Sequence, residues 1–479
     1  MNGYVTRRSL LGASGLALAA FATALPDTQA AAPDPWLAAD AIVARIEVPS
    51  FPARRFAITD YGAVGNGASD CTAAIRSAIA ACSAAGGGRV VVPFLTSTSS
   101  TFLTGAVHLL SKVNLVIAKG ATLRFSAKPA DYPLMLTSWE ANDCYNHAPL
   151  IHAFRQTDIA ISGEGTLDGR ASDTRWWPWF GDPAFGWRAG MPRQGGDSSN
   201  LKSQGEAGVP VAQRVYGAGH YLRPNFIEPY GCTNVLIEGV TIRNAPFWAI
   251  HPVYSTSVTV RNVKVISQGP NNDGCDVECC KDVLISGCYF DTFDDCIVVK
   301  SGRGRDGLVS PRRESPSHDI VLRGNRVGRG GGAVAIGSEQ AAGIHHVYVD
   351  GLTGDDPGLH TGVLIKANAR YGAGIVEEIH IRNITLAGVR NRAAMITSRV
   401  YGLTSGPYRP TFRGIDIAGM TCGRSQNALA FEGLPDKPIQ SVRVADSSFD
   451  NVAGTGVVRS HITGLALTNV RVNGRAVRA

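Results

Sequence analysis

The sequence predicts an all-β protein, a right-handed single-stranded parallel β-helix with a capping helix near its N-terminal end. Glycine supplies 55 of the 479 residues, well above the usual share of ~7%, and this excess fits a chain with many tight turns. From Asn114 onward one pattern returns, in which a polar residue precedes two stretches of alternating apolar residues. A repeat of this length with several strands per turn predicts coils stacked on one another.

The repeats are recognised by their opening residues. Two neighbouring pairs of starts, Asn234 with Ser257 and Ser441 with Gly464, are each 23 residues apart, whereas wider gaps predict loops inserted between strands. Helices of ten or more residues do not separate the repeats and hairpin signals are scarce, which disfavours βαβ winding and an antiparallel barrel. The starts are Asn114, Asp158, Asn234, Ser257, Asp282, Asp319, His346, Glu378, Gly414, Ser441 and Gly464.

The N-terminal segment has the features of an export signal. Residues 1–30 contain Thr6-Arg7-Arg8-Ser9-Leu10-Leu11 and a short apolar run, followed by small residues, which predicts a twin-arginine signal peptide. The run is too short to span a bilayer. We therefore expect a periplasmic or secreted protein without a membrane span in the mature chain, with a linker over residues 31–55 and the β-helix domain over residues 56–479.

A helix is predicted ahead of the repeats, over about residues 70–85. Ala74, Ile75, Ala78, Ile79 and Cys82 follow helical spacing. Ser69 or Asp70 is a suitable N-cap and the glycines at 86–88 a suitable stop. Because the end of a solenoid must be covered, we interpret this helix as a cap.

Residues 172–216 interrupt the repeat pattern with a long loop that contains Trp176, Trp177, Trp179 and Trp187. Loops of this length in a compact fold are usually functional or mobile. Two interpretations are open at this stage. The indole rings either stack on sugar rings or seal the loop against the solenoid.

Charge and cysteine content restrict the possible partners. The net charge of +7 is not concentrated in a Lys/Arg run or a basic helix, so a nucleic-acid partner is disfavoured, whereas an acidic polysaccharide suits the sign. The ten cysteines lack the paired spacing of a zinc site and are interpreted as buried thiols. We expect a monomer without a metal or cofactor.

The chemistry is concentrated in Asn271-Asn272-Asp273-Gly274 and Phe293-Asp294-Asp295-Cys296. Asp273 and Asp294 are 21 residues apart, about one coil, so their carboxylates should stack at about 4.8 Å. Like charges this close raise a pKa and provide an acid beside a base, as glycoside hydrolysis requires. Aspartates also occupy structural turns and bind Ca²⁺, so neither alternative is excluded by spacing.

Several motifs resemble those of glycoside hydrolase family 28, the polygalacturonases, and particularly its bacterial members. The resemblance extends from about Phe56 to beyond Tyr401. The matching motifs are Trp139-Glu140, Cys144-Tyr145-Asn146, Leu222-Arg223-Pro224, the segment 246–252 that ends in His251-Pro252, Asn271-Asn272-Asp273-Gly274, Asp294-Asp295-Cys296, Lys300-Ser301-Gly302-Arg303 and Ile336-Gly337-Ser338-Glu339.

The resemblance implies a pectin-lyase-like solenoid that hydrolyses α-galacturonosyl links in pectic polysaccharide or oligosaccharide with inversion. By motif, Asp294 matches the general acid, and Asp273 and Asp295 match the pair that activates water. Lys366 matches a lysine that pairs with a substrate carboxylate. The other residues expected at the substrate are Asn271, Asp276, Tyr401, Arg303 and His251.

Three positions depart from the family pattern. Gly331 stands where the family has a histidine that tunes the acid, Leu364 replaces an arginine that would grip a uronate, and Phe293 replaces a glycine before the aspartate pair. An arginine fork binds a carboxylate more directionally than a lysine alone. We therefore expect hydrolysis, with a rhamnogalacturonan-type or decorated pectin rather than plain polygalacturonate as the best substrate.

Two other functions remain open. A calcium-dependent, pectate-lyase-like eliminase would use the aspartates as cation ligands and a lysine or arginine as the base. A non-catalytic polysaccharide-binding solenoid would fit the missing histidine and arginine.

Overall fold

The computed structural model describes residues 34–309 and 311–478. The predicted signal peptide at 1–30 lies outside the described residues. Within them the chain is a parallel β-helix, which confirms the predicted fold class. No helix in this part of the chain is long and apolar enough to cross a membrane.

Helices are few, and strands are short until the C-terminal half. The α-helices of the described ranges are α1 Pro35–Arg45, α2 Thr72–Ala84, α3 Gly195–Ala207 and α4 Gly304–Gly307. Short 3-10 helices lie at Ile58–Tyr61, Pro129–Asp131, Trp177–Phe180, Pro183–Phe185, Val211–Gln213, Arg312–Glu314 and Val400–Gly402.

The strands follow one another in a regular order. The strands before the first catalytic motif are β1 Arg55–Ala57, β2 Asn66–Asp70, β3 Gly88–Val92, β4 Thr101–Thr104, β5 Val107–His108, β6 Val113–Ile117, β7 Thr122–Phe125, β8 Leu134–Trp139, β9 Asn142–His147, β10 Ile151–Phe154, β11 Thr157–Gly163, β12 Thr166–Asp168, β13 Val215–Tyr216, β14 Ile227–Tyr230, β15 Thr233–Glu238, β16 Thr241–Arg243, β17 Thr256–Arg261 and β18 Lys264–Ser267. Those after it are β19 Cys275–Glu278, β20 Lys281–Ser286, β21 Tyr289–Thr292, β22 Ile297–Lys300, β23 Ser317–Val327, β24 Gly332–Ile336, β25 Ile344–Gly354, β26 Thr361–Lys366, β27 Ile375–Leu386, β28 Arg392–Thr397, β29 Thr411–Cys422, β30 Asn427–Glu432, β31 Ile439–Phe449, β32 Val457–Ser460, β33 Ile462–Val472 and β34 Arg475–Val477.

Coils stack in register, so equivalent side chains lie directly above one another. Along one wall, Val258 pairs with Val283, Val283 with Ile320, and Ile320 with Val347. Such ladders of β-branched side chains fill the interior, where parallel strands are buried on both faces. A second wall contains β19, β22, β24, β26, β28, β30 and β32, paired in that order, and we call it the catalytic wall.

The polar residue that opens each repeat has a structural role. Asn234, Ser257, Asp282 and Asp319 adopt φ between 56° and 58°, and the strand ladder skips them, as between Thr233 and Val235. Short polar residues tolerate this left-handed conformation better than bulky ones. The sequence repeat therefore records a backbone kink that recurs once per coil.

The capping helix is confirmed as α2, Thr72–Ala84. Its buried face contains the predicted residues, including Ile75, Ile79 and Cys82. The N-cap residue is Cys71 rather than Ser69 or Asp70 as expected, although Asp70 Oδ1 accepts the backbone N–H of Thr72 at 2.9 Å and so satisfies one donor of the first turn.

Two segments contain more structure than the sequence indicated. The predicted linker at 31–55 contains α1, whose Ile42 packs with Val321 and Tyr348 on the outside of the coils, and Arg45 pairs with Asp282 at 2.7 Å. A single solvent-exposed helix with a narrow apolar face gives a weak sequence signal, because tertiary packing rather than local propensity stabilises it.

The long insertion at 172–216 contains three 3-10 helices and α3. Trp176 is buried, and Trp177 Nε1 donates to the Ala245 carbonyl at 3.0 Å. Trp179 packs edge-to-face against Trp176, with ring centroids 5.0 Å apart. These three rings therefore seal the insertion against the solenoid.

The cysteine prediction is confirmed. All ten cysteines lie within the described residues, and every one is buried and unpaired. Burial raises the pKa of the Cys275 thiol well above its ordinary value, which keeps it in the unreactive protonated form.

Candidate active site

Two successive strands of the catalytic wall bring the aspartates together. β19 pairs with β22 so that Cys275 faces Ile297, and the same register extends two residues back, where Asp273 meets Asp295. The Gly274 N–H donates to the Asp295 carbonyl at 3.0 Å. A side chain at Gly274 would lie only 2.3 Å from the Cys296 carbonyl oxygen, so this close approach requires glycine.

The three carboxylates form one cluster. Asp273, Asp294 and Asp295 each contribute an oxygen within 4.8 Å of the others. Asp273 and Asp295 are 4% and 3% exposed, whereas Asp294 is half-buried. Asp294 is therefore the carboxyl group most accessible from the cleft, and the predicted stacking of the acids is what the fold produces.

Gly331 lies against this cluster. A Cβ atom there would approach Asp295 Oδ1 to 2.9 Å and Asp294 Oδ1 to 3.0 Å. Gly331 therefore leaves room for the two carboxylates in their present positions, and a larger residue would require them to shift.

Cations surround the acids on one side. Lys366 Nζ donates to Asp295 Oδ2 at 2.6 Å. Lys300 Nζ lies 3.6 Å from Asp276 Oδ1 and 3.2 Å from Glu339 Oε2. These ammonium groups stabilise ionised carboxylates that burial would otherwise disfavour.

Burial and neighbouring negative charges raise the pKa values of several acids in the site. Burial, with Asp276 and Asp294 adding to it, raises the pKa of Asp273 well above its ordinary value. Burial and the neighbouring Asp295 also raise the pKa of Asp294. Burial raises the pKa of Asp276 to about 7, although Lys300 and His251 oppose the shift. The cluster therefore holds protons near neutral pH, as acid–base chemistry requires.

The acids open into a cleft of about 370 Å³. Four residues predicted at the substrate, Asn271, Arg303, Lys366 and Tyr401, lie on its lining, and Tyr401 is 71% exposed. Lys366 nevertheless bonds Asp295 rather than pointing free into the cleft. The other lining residues are Glu140, Lys202, Trp248, Asp273, Asp294, Asp295, Lys300, Ser338, Glu339, Tyr371 and Leu403.

His251 and Asp276 correct the sequence analysis, which expected both to contact substrate. Both side chains are 0% exposed and lie behind the cleft. His251 is held between Glu278, at 2.8 Å from Nε2, and Glu228, at 3.3 Å from Nδ1. The inserted segments that cover this side of the wall, the hairpin β8–β9 and the segment that contains Arg312, separate them from the cleft.

A buried ionic network continues from His251. Arg312 donates to Asp143 Oδ1 at 2.9 Å and to Glu278. The hairpin β8–β9 covers these groups, and its Ser138 hydroxyl donates to Glu278 at 3.1 Å. Sequence reasoning missed Arg312 and Asp143 because both come from inserted segments outside the repeat. The one signal in the sequence that could have indicated this network is Glu278, an acidic residue within an apolar strand.

Burial alone would lower the pKa of His251, but its hydrogen bonds to Glu228 and Glu278 outweigh burial and raise the pKa to about 9. Burial alone would raise the pKa of Glu278, but Arg312 and His251 lower it to about 2. His251 is therefore an imidazolium at neutral pH, and its charge lies directly behind Asp276.

The same three aspartates are the group among the described residues whose oxygens could ligate a metal ion. Two of the three are almost completely buried, and Lys366 and Lys300 already supply positive charge to the cluster. A hard cation prefers six to eight oxygen ligands, so this donor set suits acid–base chemistry better than cation binding.

Comparison with known proteins gives consistent matches. The model of Glycosyl hydrolases family 28 matches residues 211–426, a range that includes all three aspartates and Lys366. The solved structure of a hyperthermoactive exopolygalacturonase from Thermotoga maritima is 36% identical, with a TM-score of 0.87 over 92% of this chain and 96% of that one.

Curated proteins match at lower identity. A "Probable polygalacturonase" from Vitis vinifera is 26% identical over 406 residues, 81% of this chain and 73% of that protein. An exo-poly-alpha-D-galacturonosidase from Dickeya chrysanthemi is 29% identical over 357 residues, 71% of this chain and 56% of that protein.

The buried imidazolium predicts a pH-dependent stability. Because its pKa rises from an ordinary ~6.5 to about 9 on folding, His251 stabilises the fold fully below about pH 6.5, and this contribution disappears as pH rises to about 9. The free energy of unfolding of the wild type and of His251→Gln, measured in denaturant at both pH values, should differ more at pH 6 than at pH 9.

Comparing the wild type with His251→Gln at each pH removes the contribution of other groups that titrate in the same range, because both proteins contain those groups. His220→Gln is the matched control, since that half-exposed histidine bonds Asp197 near the surface and should show only a small difference. A His251→Gln difference that is constant across pH would contradict the charged state assigned to His251.

Proposed function

Since this chain belongs to glycoside hydrolase family 28, we propose that it is a polygalacturonase-type hydrolase that cleaves α-galacturonosyl links in pectin with inversion. The observation that carries the proposal is the cluster of Asp273, Asp294 and Asp295 at the floor of an open cleft. Such a cluster supplies both a protonated and an ionised carboxyl group within one sugar's reach.

Asp294 is the general acid in this proposal. It is the most accessible of the three carboxyl groups, and burial together with Asp295 raises its pKa, so that it holds a proton under conditions where a free aspartate would not. Its proton passes to the glycosidic oxygen as the bond from that oxygen to the anomeric carbon breaks.

Asp295 is the base. The Lys366 ammonium, 2.6 Å away, stabilises its negative charge, so Asp295 accepts a proton from water while the water oxygen bonds to the anomeric carbon. Asp273, whose pKa burial raises well above the ordinary value, holds that water by a hydrogen bond. The proton taken by Asp295 balances the one given by Asp294.

The distance between the acids makes stereochemistry a sharp test. Inverting enzymes usually separate their two carboxylates by about 6.5–9.5 Å and retaining enzymes by about 5–5.5 Å, whereas the nearest oxygens here lie within 4.8 Å. The inverting proposal therefore depends on the third carboxylate, which lets a water be held between Asp273 and Asp295.

We predict that the first product formed from an α-linked galacturonate oligomer is the β-anomer. Proton NMR of the digest, recorded within minutes of mixing and before mutarotation, measures this directly. An α-anomer would contradict inversion and would indicate a covalent intermediate on one aspartate.

We infer the choice of substrate from the cations that line the cleft and from the positions that depart from the family pattern. Lys300, Lys366 and Arg303 can pair with a uronate carboxylate, but Leu364 stands where the family resemblance expects an arginine. A weaker grip on carboxylates favours a pectin in which some sugars carry no free carboxylate, such as a rhamnogalacturonan-type or otherwise decorated chain.

The insertions support attack from a chain end. The tip of hairpin β8–β9 contributes Glu140 and helix α3 contributes Lys202, which form an ion pair at 2.5 Å on the lining of the cleft. Because this hairpin also covers a preceding coil, where the Thr137 hydroxyl donates to Glu228 Oε2 at 2.7 Å, a polymer extending in that direction would be blocked. The named exo-acting relatives agree with this reading.

We predict that monosaccharide or another single short product accumulates from the start of the reaction, while long chains shorten slowly. Size-resolved chromatography of a polygalacturonate digest tests this, with viscosity as the second readout. A rapid loss of viscosity with a ladder of intermediate fragments would contradict chain-end attack.

Export through the twin-arginine pathway to the periplasm or beyond, and action as a monomer, are further parts of the proposal. Export is supported by Arg7-Arg8 in the N-terminal segment. A fusion of residues 1–30 to a reporter should be exported only while both arginines are intact. Gel filtration should give one chain per particle.

Asp294→Asn should reduce kcat by about 10²–10⁴-fold, since only the proton donor is lost, while the affinity for oligosaccharide changes little. Reducing-end assays give kcat and calorimetry gives the affinity. Asp291→Asn is the matched control, because that aspartate lies three residues away and pairs with Arg329 at 2.8 Å.

Near-wild-type turnover by Asp294→Asn would contradict its assigned role. An unsaturated product that absorbs near-ultraviolet light and disappears with chelator would instead establish the calcium-dependent eliminase. Binding without any release of reducing ends would establish a non-catalytic solenoid.

A further inference from the structure

An exposed aromatic pair lies beside the proposed acid. Phe293 immediately precedes Asp294 and is 51% exposed. Its ring meets Phe185 edge-to-face, with centroids 5.0 Å apart and planes at 88°. Phe185 belongs to the insertion at 172–216, so two distant segments meet to place these rings next to Asp294, which lines the cleft.

The insertion holds Phe185 in place. Phe185 ends the 3-10 helix Pro183–Phe185, whose first turn is fixed by Asp182 Oδ1 accepting the Ala184 N–H at 2.8 Å. Phe180 packs against Phe185 at 5.8 Å, and the Arg223 guanidinium lies 5.5 Å from the Phe180 ring centroid. The pair is therefore supported from below, although Phe293 itself remains open to solvent.

Strand register places the aromatic pair and the cations on opposite edges of the catalytic wall. Phe293 lies four residues before β22 begins, whereas Lys300 is its last residue. Lys366 ends β26, and the register through Ile336 aligns it with Lys300. The residues of β22 therefore separate the backbone of Phe293 from that of Lys300, although the Lys366 side chain reaches back to Asp295 at 2.6 Å.

The two edges differ in the sugar they favour. The ammonium groups of Lys300 and Lys366 attract a uronate carboxylate. The face of a phenyl ring carries negative charge density and repels a carboxylate, but it attracts the C–H groups of a sugar ring. The scissile bond, at Asp294, lies at the boundary between these environments.

We propose that Phe293 and Phe185 form a binding subsite for an uncharged pyranose ring on one side of the scissile bond. The preferred substrate is therefore a pectic chain in which a sugar with a free carboxylate adjoins one without. The uncharged ring is either a methyl-esterified galacturonosyl residue or a neutral sugar. This inference rests on the proposed pectin-hydrolase function and deepens it.

The test compares kcat/KM on three oligosaccharides: de-esterified oligogalacturonate, methyl-esterified oligogalacturonate and a rhamnogalacturonan fragment. Phe293→Ala and Phe185→Ala should each lose about tenfold more kcat/KM on an uncharged-ring substrate than on the de-esterified one, since the lost contact is of the size of an aromatic pair. The substrate that shows this loss tells whether the uncharged ring is a methyl-esterified galacturonosyl residue or a neutral sugar.

Two controls keep the result interpretable. Phe293→Tyr retains an aromatic face and should restore the wild-type ratio between substrates. Phe94→Ala removes a different ring that is 50% exposed, from the segment after β3, and should leave kcat/KM unchanged on all three substrates. Thermal unfolding followed by circular dichroism confirms that each variant is folded.

An equal loss on all three substrates, or none on any, would overturn the subsite. Calorimetric binding of the same oligosaccharides to Asp294→Asn, with and without Phe293→Ala, decides the inference independently of turnover. If the wild type hydrolyses none of the three, the proposed function fails. The subsite then stands if Phe293→Ala selectively weakens binding of an uncharged-ring oligosaccharide, and falls if it does not.

Discussion

In-register stacking of parallel coils is the constraint on which the rest of this structure depends. Each coil places its side chains about 4.8 Å from those of its neighbours, so whatever occupies one position meets its equivalent above and below. Inside the solenoid this creates ladders such as Val258, Val283 and Ile320. On the catalytic wall the same geometry forces Asp273 and Asp295 together, a contact that isolated carboxylates would avoid.

That forced proximity has an energetic cost, and the surrounding charges offset it. Removing a carboxylate from water costs several kcal/mol unless it is paired. Lys366 and Lys300 stabilise the cluster from the cleft side, and the imidazolium of His251 does so from behind Asp276. Burial, with the remaining like-charge repulsion adding to it, raises the pKa values of Asp273 and Asp294, so the acids that stacking brings together also hold protons.

The network behind the cleft also explains why the hairpin β8–β9 lies where it does. Glu278 and His251 face outward from the solenoid and would be solvated on a bare coil. The hairpin and the segment that contains Arg312 cover them and complete their hydrogen bonds. The ion pairs of Glu278 with His251 and Arg312 hold this network together behind Asp276, although Arg312 Nε and Glu228 Oε1 have no hydrogen-bond partner among the described residues.

The features that could be predicted from the sequence are those that follow the repeat. The fold, the cap and the spacing of the aspartates follow it, and even the polar residues that open each coil, such as Asn234 and Asp282, proved to mark recurrent left-handed kinks. Helix α1, Lys202 and Arg312 lie outside the repeat, and their positions depend on tertiary contacts that no local pattern encodes.

His251 and Asp276 illustrate a second limit. Their motifs lie among the residues of the site, but whether a side chain enters the cleft or the space behind it depends on which insertions cover the wall. The exposed aromatic edge at Phe293 is a similar case, because its partner Phe185 comes from more than a hundred residues away. Together these features give a cleft lined by acids and cations, with the Phe185–Phe293 pair next to Asp294.

The central claim, that the stacked aspartates carry out hydrolysis, is tested most directly by a crystal structure of the Asp294→Asn protein with an uncleaved pectic oligosaccharide. We predict a glycosidic oxygen within hydrogen-bond reach of residue 294, at about 2.6–3.2 Å, and a water held between Asp273 and Asp295 on the opposite face of the anomeric carbon. An oligosaccharide bound away from the three aspartates, or a cation coordinated by them against the uronate, would contradict it.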